Sequence, residues 1–284
     1  MTYDAKLIVY EPEQRIRLGF IQCWVAMFLS IVQSRELLMQ LFRRDMLAAS
    51  KQSLLGIAWT WVAPLIGISS WLFLSQAGVL LPGAGEVPYP LFVLLGTTVW
   101  GVFMGFFTSA ASSLTSSGNL VVQAKFSHQV LVAQQVAQAS LSVLANLVLL
   151  AVVFAIFGGR LYWTVLLFPL SLFPLFLLGT GVGMIVAVFT VLVRDVTKVI
   201  TTVLGILMFF TPVIYAPEAG NQLLQRLIWF NPMTYLVCGA RDLVLSGHIE
   251  HWQGYMAAVL LAILVFLFSW RLFYISEQKV AERL

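Results

Sequence analysis

The residue types that carry chemistry are present, but their spacing serves none of the common reactions. A phosphate-cradling loop ends in glycine followed by lysine at the mouth of a helix. No glycine in this chain is followed by lysine, so ATP has no such loop here. The motifs His-Glu-x-x-His and Cys-x-x-Cys and an aspartate-rich diphosphate motif are also missing. His248, Glu250 and His251 are close in sequence, yet at a loop tip they read as solvated side chains, and no metal site is expected. His128 reads as a contact residue rather than a base. Carriers driven by ions or protons hold the coupling ion on carboxylates, His or Lys inside the bilayer. The long apolar blocks of this chain have none. The expectation is a transport channel subunit, not an enzyme, with no catalytic residue and no cofactor of its own, driven by a partner on the cytoplasmic side.

What the apolar blocks do offer is aromatic surface. Trp59, Trp71, Trp100, Phe103, Phe209, Phe210 and Tyr215 could support sugar rings by apolar contact without fixing them, and they are candidates for the lining of a passage. Aromatics are also ordinary membrane anchors and core fillers.

The elements that carry these residues follow from composition. The chain has 284 residues, 60% of them hydrophobic and 10% charged, against about 25% charged in a soluble domain. Charges are absent from Gln52 to Gly85, Val87 to Ala124, Gln129 to Gly159, Leu161 to Val193 and Trp252 to Trp270. Each block approaches or exceeds the roughly 20 apolar residues that cross a bilayer as a helix. These runs are continuously apolar, whereas barrel strands alternate. The fold class is therefore an all-α integral membrane protein. Six spans are placed near Leu54 to Ala77, Pro90 to Ala111, Val136 to Phe157, Trp163 to Val193, Val196 to Tyr215 and Gln253 to Tyr274.

Six crossings put both termini on one side, and the basic residues say which. Lys6, Arg15, Arg17, Arg35, Arg43, Arg44, Lys51, Lys125, Arg194, Lys198, Arg271, Lys279 and Arg283 share one face, and only Arg160, Arg226 and Arg241 fall on the other. The first face is therefore expected to be cytoplasmic, and both termini with it. The net charge of +4 follows from this bias and is no argument for nucleic acid. Cys23 and Cys238 fall on opposite sides and read as free thiols.

Residues 1–52 form a cytoplasmic N-terminal segment, and 53–284 the six-span domain with a short tail. Leu18 to Gln33 is too short to span and reads as interfacial; from Arg35 onward Leu37, Leu38, Leu41, Phe42, Met46 and Leu47 recur at helical spacing between charges, the pattern of a helix lying on the membrane surface. The fourth block carries Pro169 and Pro174 and should be kinked or split near its start. Gly179 with Gly183, and Gly101 with Gly105, are small-residue pairs suited to close helix packing. Ala216 to His251 is too apolar for a free loop and breaks at Asn231-Pro232, so two short re-entrant helices are expected before the last span. Trp229, Asn231, Pro232, Tyr235 and Arg241 are the candidates for an exit gate.

Three stretches resemble the permease subunits of ABC transporters that export polysaccharides, the class handling O antigens, lipopolysaccharide, capsular polymers and teichoic acids. The first runs from Arg44-Asp45 through Lys51-Gln52-Ser53-Leu54-Leu55-Gly56 and Trp59 to Pro64; the second from Asn119-Leu120-Val121 through Phe126 to Val130-Leu131. The third combines Arg194-Asp195-Val196, Phe210-Thr211-Pro212-Val213-Ile214-Tyr215 and Asn231-Pro232, with Arg241 and Gly247 beyond. The resemblance implies a homodimer enclosing a channel, two ATP-binding subunits that supply ATP and Mg, and a polyprenyl diphosphate-linked polysaccharide as cargo within membrane lipid. It also implies ATPase coupling through Arg44, Asp45, Lys51, Asn119, Lys125, Phe126, His128, Gln129, Arg194 and Asp195. Two departures stand out. Ala49-Ser50 replaces a basic and aromatic pair, and Phe126-Ser127-His128-Gln129 replaces Phe-Pro-Arg-Glu, so both docking surfaces carry less charge. For Arg194 and Asp195 a simple helix cap is the other reading. The competing functions are a permease of the same class for a small lipid or drug, and an intramembrane lipid-sugar enzyme.

Overall fold

The computed structural model describes residues 20–51, 58–77, 88–116, 128–157, 162–217 and 222–281, and those residues form helices joined by turns. Helices α1 (Phe20–Gln33) and α2 (Arg35–Lys51) meet at Ser34 with a bend of 59°. The Ser34 N–H still donates to Ser30 O and Ile31 O, both at 3.2 Å, so the backbone bonding continues through the elbow. Helix α3 (Trp59–Gln76) contains Pro64, which removes one ladder donor. Next come α4 (Tyr89–Ser116) and α5 (Gln129–Phe157).

The proline-bearing fourth block is split. A 3-10 turn, Trp163–Leu167, leads into the single turn α6 (Phe168–Ser171) and then α7 (Phe173–Leu192), with proline in the first turn of α6 and of α7. There the missing N–H would have had no helical acceptor anyway. Helix α8 (Val196–Leu207) runs into a 3-10 turn, Met208–Phe210. Two short helices, α9 (Gln222–Phe230) and α10 (Pro232–Leu245), are separated by Asn231, and α11 (Trp252–Ala281) closes the described chain.

Among the described residues four stretches are long and apolar enough to cross a bilayer, Tyr89–Ser116, Gln129–Ile156, Trp163–Leu192 and Trp252–Ser276; the bent pair α1 and α2, taken as one span, makes five. The expected first crossing contains α3, whose 18 residues include Thr60, Ser69, Ser70, Ser75 and Gln76. The expected fifth contains only the shorter apolar helix Val196–Phe210. The chain is a helical, multi-pass membrane protein.

The core is built around α4, whose residues from Leu91 to Phe107 are mostly buried against α5, α7 and α10. In lipid this packing is held by van der Waals contact rather than by exclusion of water, so close backbone approach matters. Gly179 and Gly183 provide it: a Cβ on Gly179 would come 2.6 Å from Phe103 O, and one on Gly183 2.6 Å from Phe107 O. Gly101 and Gly105 meet nothing within 4 Å among the described residues, so this second pair makes no such contact. Trp100 and Phe103 are 6% and 2% exposed, and in the single chain they fill the core rather than face a passage.

Candidate functional site

The third resemblance stretch folds as an irregular turn, residues 211–215, wedged between α4, α9 and α10. Non-helical backbone at membrane depth persists only where protein groups satisfy it. Here three side chains from three elements do so. Arg241 Nη1 on α10 donates to Pro212 O at 3.1 Å, and the Tyr89 hydroxyl on α4 donates to Ile214 O at 3.1 Å. Asn231 Nδ2 donates to Thr211 Oγ1 at 2.8 Å and lies 3.5 Å from Phe210 O. Thr211 Oγ1 in turn donates to Leu207 O, and Val213 N–H closes a tight turn on Thr211 O at 2.7 Å. The turn sits directly on Gly96, where any Cβ would overlap the Val213 carbonyl.

Asn231 has a second job. Its Oδ1 accepts from Met233 N–H at 3.0 Å, capping α10, whose first residue is Pro232. Thr234 Oγ1 reaches back to Ile228 O at 2.6 Å, so α9 is tied to the same corner. Arg241 is 4% exposed; its guanidinium carbon lies 4.0 Å from the Phe92 ring centroid and Nη2 lies 3.5 Å from Cys238 Sγ. The cation is thus held by a backbone carbonyl, a sulfur and a π face. Its neighbour Asp242, in the last turn of α10, accepts from Glu250 N–H at 3.4 Å. Burial pushes its carboxyl up to about 6, against the opposing pull of Arg241.

The aromatic candidates separate by position. Trp229 stacks on His251 at 4.2 Å between centroids and tilts against Tyr235 at 5.3 Å, which joins α9, α10 and the start of α11. Tyr215 donates to Phe209 O at 2.8 Å. Trp59, Phe209 and Phe210 are 48%, 61% and 40% exposed on the surface of the chain. Trp71 belongs to α3, and its side chain lies outside the described ones.

Of the coupling candidates, Arg44, Asp45, His128 and Gln129 lie near the start of α5. Arg44 pairs with Asp45 at 2.7 Å, and Asp45 Oδ2 accepts from Gln134 Nε2 at 3.1 Å, which joins α2 to α5. Gln129, 2% exposed, accepts from the Trp270 indole N–H at 3.1 Å, and Trp270 meets Trp24 edge-on at 5.5 Å. The start of α5 therefore ties α1, α2 and α11 together, and His128 is buried beside it. Asp195 stands at the start of α8 without a side-chain cap bond; it lies 3.6 Å from Lys198, both largely exposed. Such a pair is worth about 0–1 kcal/mol, and Arg194 is exposed with it. Asn119, Lys125 and Phe126 lie outside the described residues, as does the Lys51 side chain.

Sequence reasoning missed Gln134, Trp270, Tyr89 and Gly96. Gln134 is one of several glutamines, with Gln129, Gln135 and Gln138, in the first turns of α5, so its type alone did not single it out, and nothing in the sequence marks the Tyr89 or Gly96 contacts. Cys23 and Cys238 are both buried, and they are not joined in a disulfide.

A family model described as ABC-2 type transporter matches residues 36–245. An O-antigen export system permease protein RfbA of Myxococcus xanthus is 23% identical over 258 residues, covering 89% of this chain and 96% of that protein. Two proteins of the same description from Klebsiella pneumoniae are 22% and 20% identical, each match covering 76% of this chain and 83% of theirs. With the family match extending across most of the helical bundle, from α2 to the end of α10, the chain belongs to the ABC-2 type transporter family.

Proposed function

We propose that this chain is the membrane-spanning permease of an ATP-driven exporter that threads a lipid-linked polysaccharide from the cytoplasm to the outer side of a bacterial inner membrane. The observation that carries the reading is the likeness along 89% of the chain to a permease named for O-antigen export. With no phosphate-cradling loop of its own, the chain draws on a separate ATP-binding subunit that holds ATP and Mg.

In this reading α3 and α8 complete six crossings, both termini are cytoplasmic, and α9 and α10 are re-entrant from the outer face. Trp59, Phe209 and Phe210 are on the surface of the single chain. A passage lined by them therefore lies between two copies, which is why we take a homodimer as the working unit. On the cytoplasmic side, coupling to two ATP-binding subunits runs through α2, the sequence from Asn119 to His128 and the Arg194–Asp195 turn. Nucleotide-driven movement there reaches α5 through Asp45–Gln134. At the outer end Asn231 and Arg241 hold the turn at 211–215, and the passage opens when that corner yields. The polymer, carried on a polyprenyl diphosphate, slides on aromatic faces that grip no particular sugar.

The test is co-expression of this chain with its genomic neighbours and reconstitution with any ATP-binding subunit that associates with it. Export of lipid-linked polymer into vesicles should require both subunits and hydrolysable nucleotide. Transport by this chain alone, or failure to associate with any ATP-binding subunit, overturns the reading; transport of a small lipid with no effect on polymer replaces the cargo.

A further inference from the structure

We propose that a slot between α1, α5, α7 and α11 holds one acyl chain of an anionic phospholipid of the cytoplasmic leaflet. The slot has a volume of about 220 Å³ and an apolar wall. Its lining positions run from Gln129 to Val136 on α5 and from Phe176 to Met184 on α7, which at about 1.5 Å per residue is roughly 10–12 Å along the helices. The space is long and narrow, the shape of a chain rather than of a ring. It is also smaller than the roughly 300–1,000 Å³ that drug-sized ligands occupy. An apolar cavity takes an apolar occupant rather than water, and around a multi-pass chain the abundant apolar molecule is lipid.

Two further observations narrow the occupant. The Trp270 indole is a donor only, so its bond to Gln129 fixes the amide with Oε1 toward the ring. That leaves the buried Gln129 Nε2, like the buried Thr180 Oγ1 on α7, without an acceptor among the described residues. An acyl lipid brings ester carbonyls as acceptors at the head of its chain; a plain hydrocarbon brings none. The second observation is charge. Phe28 and Ile31 of α1 border the slot, and Arg35 follows Ile31 by one turn, exposed at the start of α2 with Arg43 and Arg44 beyond it. Arg44 is paired with Asp45, so Arg35, one turn beyond Ile31, and Arg43 are the basic groups on α2 that would meet an anionic headgroup on the cytoplasmic side. The placement on that leaflet rests on the orientation proposed above.

The experiment uses the full chain in nanodiscs of phosphatidylcholine doped with phosphatidylglycerol brominated in mid-chain. The fluorescence difference between wild type and Trp270→Phe isolates the ring that borders the slot. Quenching of Trp270 should saturate at low mole fraction, with phosphatidylglycerol favoured several-fold over brominated phosphatidylcholine. Ala133→Phe, which fills the slot, should abolish the saturating part; Val136→Phe replaces it if that variant does not fold. Excess unbrominated phosphatidylglycerol should reverse the quenching in wild type. Quenching that rises in simple proportion to mole fraction, equal quenching by both lipids, or displacement by polyprenyl phosphate but not by phosphatidylglycerol overturns the proposal. The readout is lipid contact, so its failure leaves the export reading standing.

Discussion

Asn231 makes the corner between α8 and α10 testable in two separable parts. Its Oδ1 caps α10 through Met233 N–H, while its Nδ2 reaches Thr211 at the end of α8. Replacing an asparagine cap by alanine costs about 0.5–2 kcal/mol, and a neutral hydrogen bond contributes a net 0.5–1.5 kcal/mol, roughly. Asn231→Ala loses both and should cost about 1–3.5 kcal/mol by these two contributions. Asn231→Ser keeps a comparable, neutral cap but is too short to reach Thr211, so it should cost only the smaller part. A double-mutant cycle of Asn231→Ser with Thr211→Val then isolates the bridge, with an expected coupling of about 1 kcal/mol. The assay is reversible unfolding in mixed micelles, read by the decay of helical signal with added dodecyl sulfate. Export measured in parallel should fall in both single variants while nucleotide hydrolysis continues, because α9 and α10 would no longer follow α8. Additivity of the pair within about 0.3 kcal/mol refutes the bridge. Equal losses for Ser and Ala refute the cap.

Four other outcomes follow from the same geometry. Arg241→Met leaves the buried Pro212 carbonyl without its donor and should destabilise that turn by about 1–3 kcal/mol; micelle unfolding checks this, with Arg241→Lys restoring only part because it lacks the planar fork. Gly96→Val must displace the Val213 carbonyl, so monodisperse protein on size-exclusion chromatography should be lost, whereas Gly101→Ala, which meets nothing within 4 Å, should be neutral. Gln134→Leu removes the polar tie between α2 and α5 while Leu41 still packs on Leu131, and it should uncouple export from nucleotide hydrolysis without lowering the unfolding midpoint much, since one part-buried hydrogen bond is lost. For Asp242, raised from its ordinary 3.8 to about 6 by burial, the folded state favours the protonated acid. Its stabilising contribution is full below about pH 4 and is lost as pH rises to about 6; Asp242→Asn should flatten stability across that window.

Legibility in the sequence followed local cause. Proline and glycine act on their own backbone, so the split at Pro169 and Pro174 and the break at Asn231-Pro232 were visible as residue types and appear where expected. Charge-free blocks marked the four long stretches because length and hydropathy are summed over sequence alone. Facing is different. Trp100 and Phe210 are both aromatics in apolar runs, yet one is 6% exposed and the other 40%, and only the packing of α4 against α7 separates them. Arg241 stood out as a charge in an apolar stretch, but that it serves a carbonyl 29 positions earlier is a property of the fold. Likewise the two glycine pairs have the same spacing, and among the described residues only one packs closely on another helix.

Helix α8 explains how two distant clusters can belong to one mechanism. None of its residues is fully buried, and its inward side chains Ile200 and Leu204 touch a small cluster on α4 and α7. Its first turn is fastened by Thr190 to Thr197, hydroxyl to hydroxyl at 2.6 Å, beside the exposed Arg194 and Asp195. Its far end delivers Phe209 and Phe210 and then the turn held by Asn231, Arg241 and Tyr89. A rod anchored mainly at its ends, with little buried along its length, shifts as a unit at low packing cost. In the proposed export cycle a push at the Arg194–Asp195 turn would be carried along α8 to residues 211–215 and, through Asn231, to the start of α10. This is why the bridge from Asn231 to Thr211 should matter more for export than its small contribution to stability suggests.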